Sequence, residues 1–287
     1  MKNKGLTITM VIDAESANYG EGFNNITTLK KLTRGDGSTY TYISRQALRY
    51  NIVEQMECNN TPVEPIGTGE KKVIQFHPDA TIKDYPEIDL FGYMKTKGGD
   101  SATTRTAVVR LSNAISLEEF EADTDFLTNI GLAKRVNENN SIAQSEIHKS
   151  YYAYTVTIDL DKVGVDKDIE ISEEEKKTRI KNLLKTIQFL YRDIKGRREN
   201  LSPIFVIGGV YDRKNPFFEN RIQLLNNKLN VGIIKDIINS DEDIKNNTKV
   251  GYIEGKFENN NEIKEELHAK KVNEFFDELI KKVEEEC

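Results

Sequence analysis

The stretch GLTITMVID at residues 5–13 decides the fold. Leu6, Ile8, Met10 and Ile12 fall on one side of it, and Thr7, Thr9, Val11 and Asp13 on the other. An apolar residue at every second position is the mark of a strand laid on a core. The same alternation returns in SYYAYTVTIDL at 150–160, where Tyr152, Tyr154, Val156 and Ile158 share a side. PIFVIGGVY at 203–211 is a continuous apolar run, as in a strand buried on both faces. Its Gly208-Gly209 pair suits a bend or the close approach of another backbone. TTRTAVVRL at 103–111 reads as a fourth strand.

Helical spacing fills the gaps. Ser44 is a good N-cap for a helix over 45–56 with Leu48, Ile52 and Met56 inward. Ser172 and Glu175 form a capping box ahead of a helix over 172–195, with a stripe from Ile180 to Ile194. Residues 249–257 could be one more strand. An acidic amphipathic helix over 261–286 closes the chain, with Val272, Phe275, Phe276, Leu279 and Val283 inward. The order strand, helix, strand, strand, helix, strand is that of an α+β, ferredoxin-like fold. The expected organisation is one decorated domain over 1–287. Its insertions span 14–42, 57–102 and 112–149, read as loop, irregular and weakly structured chain respectively.

The 287 residues carry 41 Lys and Arg against 47 Asp and Glu, a net charge of −6. The excess is local. Residues 235–287 hold 9 basic and 15 acidic side chains, leaving 32 of each sign before them. A negative total therefore does not exclude a nucleic-acid partner, because binding follows the local field. Cys58 and Cys287 offer no disulfide framework, which fits a reducing cytoplasm. The polar start of the chain reads neither as a signal peptide nor as a membrane anchor.

Catalytic motifs are absent. His77, His148 and His268 lie in separate segments, and no nucleotide loop or zinc spacing occurs. Asp13 with Glu15 could make a metal pair, although strand-end carboxylates more often cap loops. No cofactor is expected. The informative stretch is KKLTRGDGSTYTYISRQALRY at 30–50. Lys31 and Arg34 lie in the expected loop, and Arg45 and Arg49 share a helix face. A helix opening at Ser44 would point backbone N–H groups and a positive dipole end outward, where a phosphate fits. A capped surface helix with solvated arginines explains the same residues equally well.

Several blocks in order are similar to the DevR-like backbone subunits of type I-B CRISPR Cascade complexes, in the repeat-associated RNA-binding superfamily. They are GLTITMVIDAESANYGEG (5–22), LTRGDGSTYTYISRQALRYNI (32–52), DLFGYM (89–94), TTRTAVVRLSNAISL (103–117) and HKSYYAYTVTIDLDKVG (148–164). The resemblance implies a palm carrying finger and thumb insertions. It implies copies of the chain stacked along a CRISPR guide RNA beside other Cascade subunits, with target DNA reached through the guide. By position, it assigns guide phosphates to Ser44, Arg45, Gln46 and Arg49. LFGYM would form the thumb base, with Met94 as an apolar wedge and Lys95 and Lys97 lining the thumb. It implies no catalysis by the chain itself. Two rivals are an RNA-cleaving relative using Asp13 or Asp36, and a self-assembling scaffold without nucleic acid.

Overall fold

A computed structural model describes residues 4–15, 18–20, 22, 26–67, 69, 72–96 and 102–286. Gly5–Ala14 runs through the middle of a nine-stranded sheet. It pairs antiparallel with Ser150–Asp159, from Gly5 opposite Asp159 to Ala14 opposite Ser150. This register sets Leu6, Ile8, Met10 and Ile12 against Ile158, Val156, Tyr154 and Tyr152, all buried. The two apolar stripes read from sequence are thus cross-strand neighbours on one face. Phe205–Tyr211 pairs on the other side of Gly5–Ala14. Val109–Leu111 and Ala114–Ser116 lie beyond Ser150–Asp159. Lys249–Tyr252 and Lys270–Lys271 extend one edge, and Thr39–Ile43 and Lys31–Thr33 the other.

Three helices cover the apolar face. Arg45–Gln55 contributes Leu48 and Ile52, and Glu173–Gln188 contributes Ile180, Leu183, Leu184 and Ile187. Val272–Glu286 contributes Phe275, Phe276 and Leu279. Phe218, Ile234, Ile244, Phe257 and Ile263 cover the opposite face over Phe205–Tyr211 and Lys249–Tyr252. That cover thins out over Ala114–Ser116, where a cleft opens.

Gly208 and Gly209 are sites of close approach. A Cβ on Gly208, at φ +154°, would stand 2.0 Å from the Thr7 carbonyl oxygen. One on Gly209 would stand 2.0 Å from that of Asn247.

Several expected elements differ. The strand expected over 103–111 is two: Thr103–Arg105 leaves the sheet to pair with Tyr93–Lys95, and only Val109–Leu111 joins it. The helix expected to reach 195 ends at Gln188. Tyr191–Ile194 instead forms a hairpin with Arg197–Asn200 around Lys195 and Gly196, both at positive φ. Two such residues make the turn that matches strand twist. The terminal helix is also two. Asn260–Glu266 stops before His268, whose φ is 50°, and Lys270–Lys271 intervenes before Val272–Glu286.

Three insertions carry more order than their composition suggests. Lys31–Thr33 and Thr39–Ile43 form a hairpin. So do Val63–Ile66 and Val73–Phe76. Asp123–Thr128 pairs with Ile142–Ile147 across the helix Ile130–Val136.

Under the sheet edge, Thr41 Oγ1 lies 2.8 Å from both His148 Nδ1 and the Tyr152 hydroxyl, which donates to the His148 carbonyl at 2.9 Å. Burial holds the His148 imidazole below its ordinary pKa of 6.5, against the opposing pull of Glu118, Asp123 and Glu121. The unfolded chain therefore binds a proton that the folded one resists. The contribution is complete above about pH 6.5 and is lost as pH falls below it. Thermal unfolding at about pH 7.5 and 5.5 should show a lower midpoint in acid, with a smaller drop in His148→Gln. An equal drop in the variant would assign the effect to other groups.

Candidate nucleic-acid interface

Thr39–Ile43 delivers the chain to Ser44, which stays extended at φ −67° and ψ 146° and caps the helix. Its Oγ accepts the Ala47 N–H at 3.3 Å. The rest of the helix start differs from expectation. The Ser44 N–H donates to Asn18 Oδ1 at 2.5 Å, and the Arg45 N–H to Asn113 Oδ1 at 2.9 Å. The Leu48 N–H closes on the Ser44 carbonyl. Of these first amides, Gln46 N–H alone makes no hydrogen bond among the described residues. A cradle of open amides is therefore corrected to one amide flanked by side chains. Asn18 and Asn113 supply the missing acceptors, and nothing in local spacing marks residues so distant as caps of this helix.

Arg45 and Gln46 are exposed, and neither side chain has a polar partner among the described residues. Arg49 does not match Arg45. It lies over the Phe91 ring at 5.1 Å and 3.4 Å from Glu87 Oε1. Lys31 is likewise engaged, 2.7 Å from Glu146 and over Phe120. Arg34 is exposed, stacks on Tyr40 at 4.4 Å, and has no ion pair among the described residues.

The second part of the site is the hairpin of Tyr93–Lys95 and Thr103–Arg105. Met94 stands 64% exposed on it, opposite Thr104. Strand alternation sends Lys95 the other way. Its ammonium is buried, donates to the Ala80 carbonyl and lies 4.1 Å over Tyr93. Burial lowers its pKa. Lys95 is thus an internal brace and not a lining cation. Lys97 lies outside the described residues.

Arg105 and Arg110, the other cations of this stretch, are also committed. Arg110 pairs with Asp159 at 3.1 Å. Arg105 Nη2 lies 2.6 Å from Asp89 Oδ1, while Arg179 Nη1 lies 2.9 Å from Asp89 Oδ2. The Gly164 N–H donates to both carboxylate oxygens, and Arg105 Nη2 and Arg179 Nη2 also reach the Lys162 and Lys83 carbonyls. Asp89 is fully buried. This doubly cationic clamp, with one arginine on each carboxylate oxygen, ties the base of the Met94 hairpin to the helix Glu173–Gln188. In sequence, the only hint of it is Asp89 set between the apolar Ile88 and Leu90.

The carboxylates considered for catalysis are occupied by structural contacts. Asp13 pairs with Lys256 at 3.0 Å and Glu15 with Arg197 at 2.9 Å. Asp36 accepts the Ser38 N–H at 2.9 Å, which lowers its pKa. No group of three His, Cys, Asp or Glu that could hold a metal ion occurs among the described residues. No helix among them is long and apolar enough to cross a membrane.

Two solved structures share the architecture. A chain of a "CRISPR RNA-guided surveillance complex, pre-nicking" superposes with a TM-score of 0.63 at 11% identity, covering 96% of this chain and 100% of that one. A chain of a "CRISPR RNA-guided surveillance complex" gives a TM-score of 0.57 at 14% identity, covering 88% and 91%. No curated protein matches the sequence. The family described as "CRISPR-associated negative auto-regulator DevR/Csa2" matches residues 6–231, from the first core strand to the start of the helix Val231–Ile238. With a match over most of its length, the chain belongs to the DevR/Csa2 family.

Proposed function

We propose that this protein is a backbone subunit of a type I-B CRISPR surveillance complex. It grips guide RNA by its phosphates, without reading sequence, and presents the guide for pairing with target DNA. Copies of the chain line the RNA beside other subunits in the cytoplasm, and the chain performs no chemistry of its own. The body is a ferredoxin-like palm. Supporting that name are the strand order Phe205–Tyr211, Gly5–Ala14, Ser150–Asp159, then Val109–Leu111 and Ala114–Ser116, and the helices Arg45–Gln55 and Glu173–Gln188 together on one face, which Val272–Glu286 also covers.

The observation that carries the reading is the exposed Arg45–Gln46 pair at the helix start, with a spare N–H at Gln46. Guanidinium, side-chain amide and backbone N–H are donors suited to a phosphate. The exposed Met94 fits an apolar wedge that packs on any base.

The test is salt-dependent binding to single-stranded RNA of unrelated sequences. Each lost phosphate contact changes the log–log slope by about 0.7. Arg45→Ala should remove about one such contact and weaken all sequences alike. Arg49→Ala should change the slope less, because Glu87 already holds Arg49. Failure of the unaltered protein to bind RNA, alone or as assembled with its locus, would overturn the proposal.

A further inference from the structure

Where the cover of the sheet face opposite the three helices thins over Ala114–Ser116, the sheet carries a cleft of ≈ 440 Å³. That volume lies within the range of sites for small planar ligands. Its lining includes the loop residues Glu219, Asn220 and Gln223, Ile115 on the strand Ala114–Ser116, and Leu117 just after that strand. Arg34, layered on Tyr40, stands at the side.

Three observations describe what would fit. First, Thr9 Oγ1 and Thr155 Oγ1 line the cleft 2.8 Å apart, and both residues are buried. One hydroxyl donates to the other, so one proton remains, and neither hydroxyl has another partner among the described residues. A buried donor left open in this way costs free energy until something accepts from it. Secondly, Asn220 and Gln223 are exposed amides with no side-chain partner among the described residues. They bring side-chain donors and acceptors to a cleft that Ile115 and Leu117 also line. Thirdly, the Arg34 guanidinium offers a plane for stacking, and its charge is balanced in the lining by that of Glu219, so the pair favours neither an anion nor a cation.

A neutral, flat group with polar edges satisfies all three. We infer that the cleft receives one unpaired nucleobase of the bound RNA strand. This rests on the RNA-gripping reading above and adds to it a site for a base. The cleft adjoins that grip through the chain itself, because Ser112 lines it and Asn113 caps Arg45. Splayed bases are commonly held in this manner, stacked on arginine planes and hydrogen-bonded at their edges. Rotatable amides accept either edge of several bases, so occupancy does not require sequence selection.

The test compares an oligoribonucleotide with the same strand carrying abasic positions, using the full chain. The intact strand should bind the unaltered protein about tenfold more tightly than the abasic one, from stacking and a few hydrogen bonds. Asn220→Gly with Gln223→Ala, both at exposed positions, should erase most of that difference and leave abasic binding unchanged. A 2-aminopurine probe in the strand should lose its unstacked signal on binding and regain it in the double variant. Equal affinity for intact and abasic strands, with no effect of the variant, would overturn the cleft assignment while leaving the phosphate grip standing. Loss of both strands' binding to the unaltered protein would instead remove the RNA reading itself.

Discussion

Asp89→Ala should lower the free energy of unfolding by about 3–5 kcal/mol, the cost of leaving buried charge without its partner. Asp89 is fully buried, and its carboxylate receives Arg105, Arg179 and the Gly164 N–H. Removing it leaves two guanidiniums facing each other, with Arg179 only 3% exposed. Glu175 still holds Arg179 Nε, and backbone carbonyls still accept from both arginines, which limits the loss. Asp89→Asn keeps the shape and should cost less than alanine. Urea unfolding of the three proteins measures this, and a change under about 1 kcal/mol for alanine would show that the arginines find water instead. The same variant should loosen the Met94 hairpin, because Arg105 is one of its strand residues.

The second large effect is steric. Gly208→Ala should cost about 4 kcal/mol or more, enough to deplete soluble protein. The new methyl would meet the Thr7 carbonyl oxygen at 2.0 Å, inside the central strand pairing, and the φ of +154° suits glycine alone. Neither strand can retreat without surrendering its register. Gly131→Ala is the control, since nothing lies within 4 Å of the added atom. In the helix Ile130–Val136 it should be neutral or stabilising by up to about 1 kcal/mol. Equal yields and melting curves for the two variants would refute the argument.

How much could be read in advance depended on whether the cause was local. Alternation at 5–13 and 150–160 has a local cause, a pleat beside a core, and both strands lie where the pattern put them. The same holds for Ser44 and Ser172, whose hydroxyls accept from residues three positions on. The split of 103–111 has no local signature. Thr103–Arg105 leaves because Arg105 is drawn to Asp89 and to the Lys162 and Val165 carbonyls, all distant in sequence. The same applies to the site. Arg45, Arg49, Lys31 and Lys95 are four cations alike in the sequence. Three are separated from Arg45 by Glu87, Glu146 and the Ala80 carbonyl, partners that no spacing rule connects to them.

The last helix bears on the order in which the molecule can form. The family match stops at residue 231, yet Phe275, Phe276, Leu279 and Val283 lie in the same core as Leu6, Ile8 and Met10. The strand Gly5–Ala14 is therefore sealed by the helix Val272–Glu286, which follows it across most of the sequence. Contacts that span nearly the whole chain are slow to form, and until they do the apolar face of the sheet stays wet. In a nascent chain that face stays incompletely covered until Val272–Glu286 has emerged. A chain cut at residue 231 would keep its matched sequence while exposing the floor on which that sequence rests.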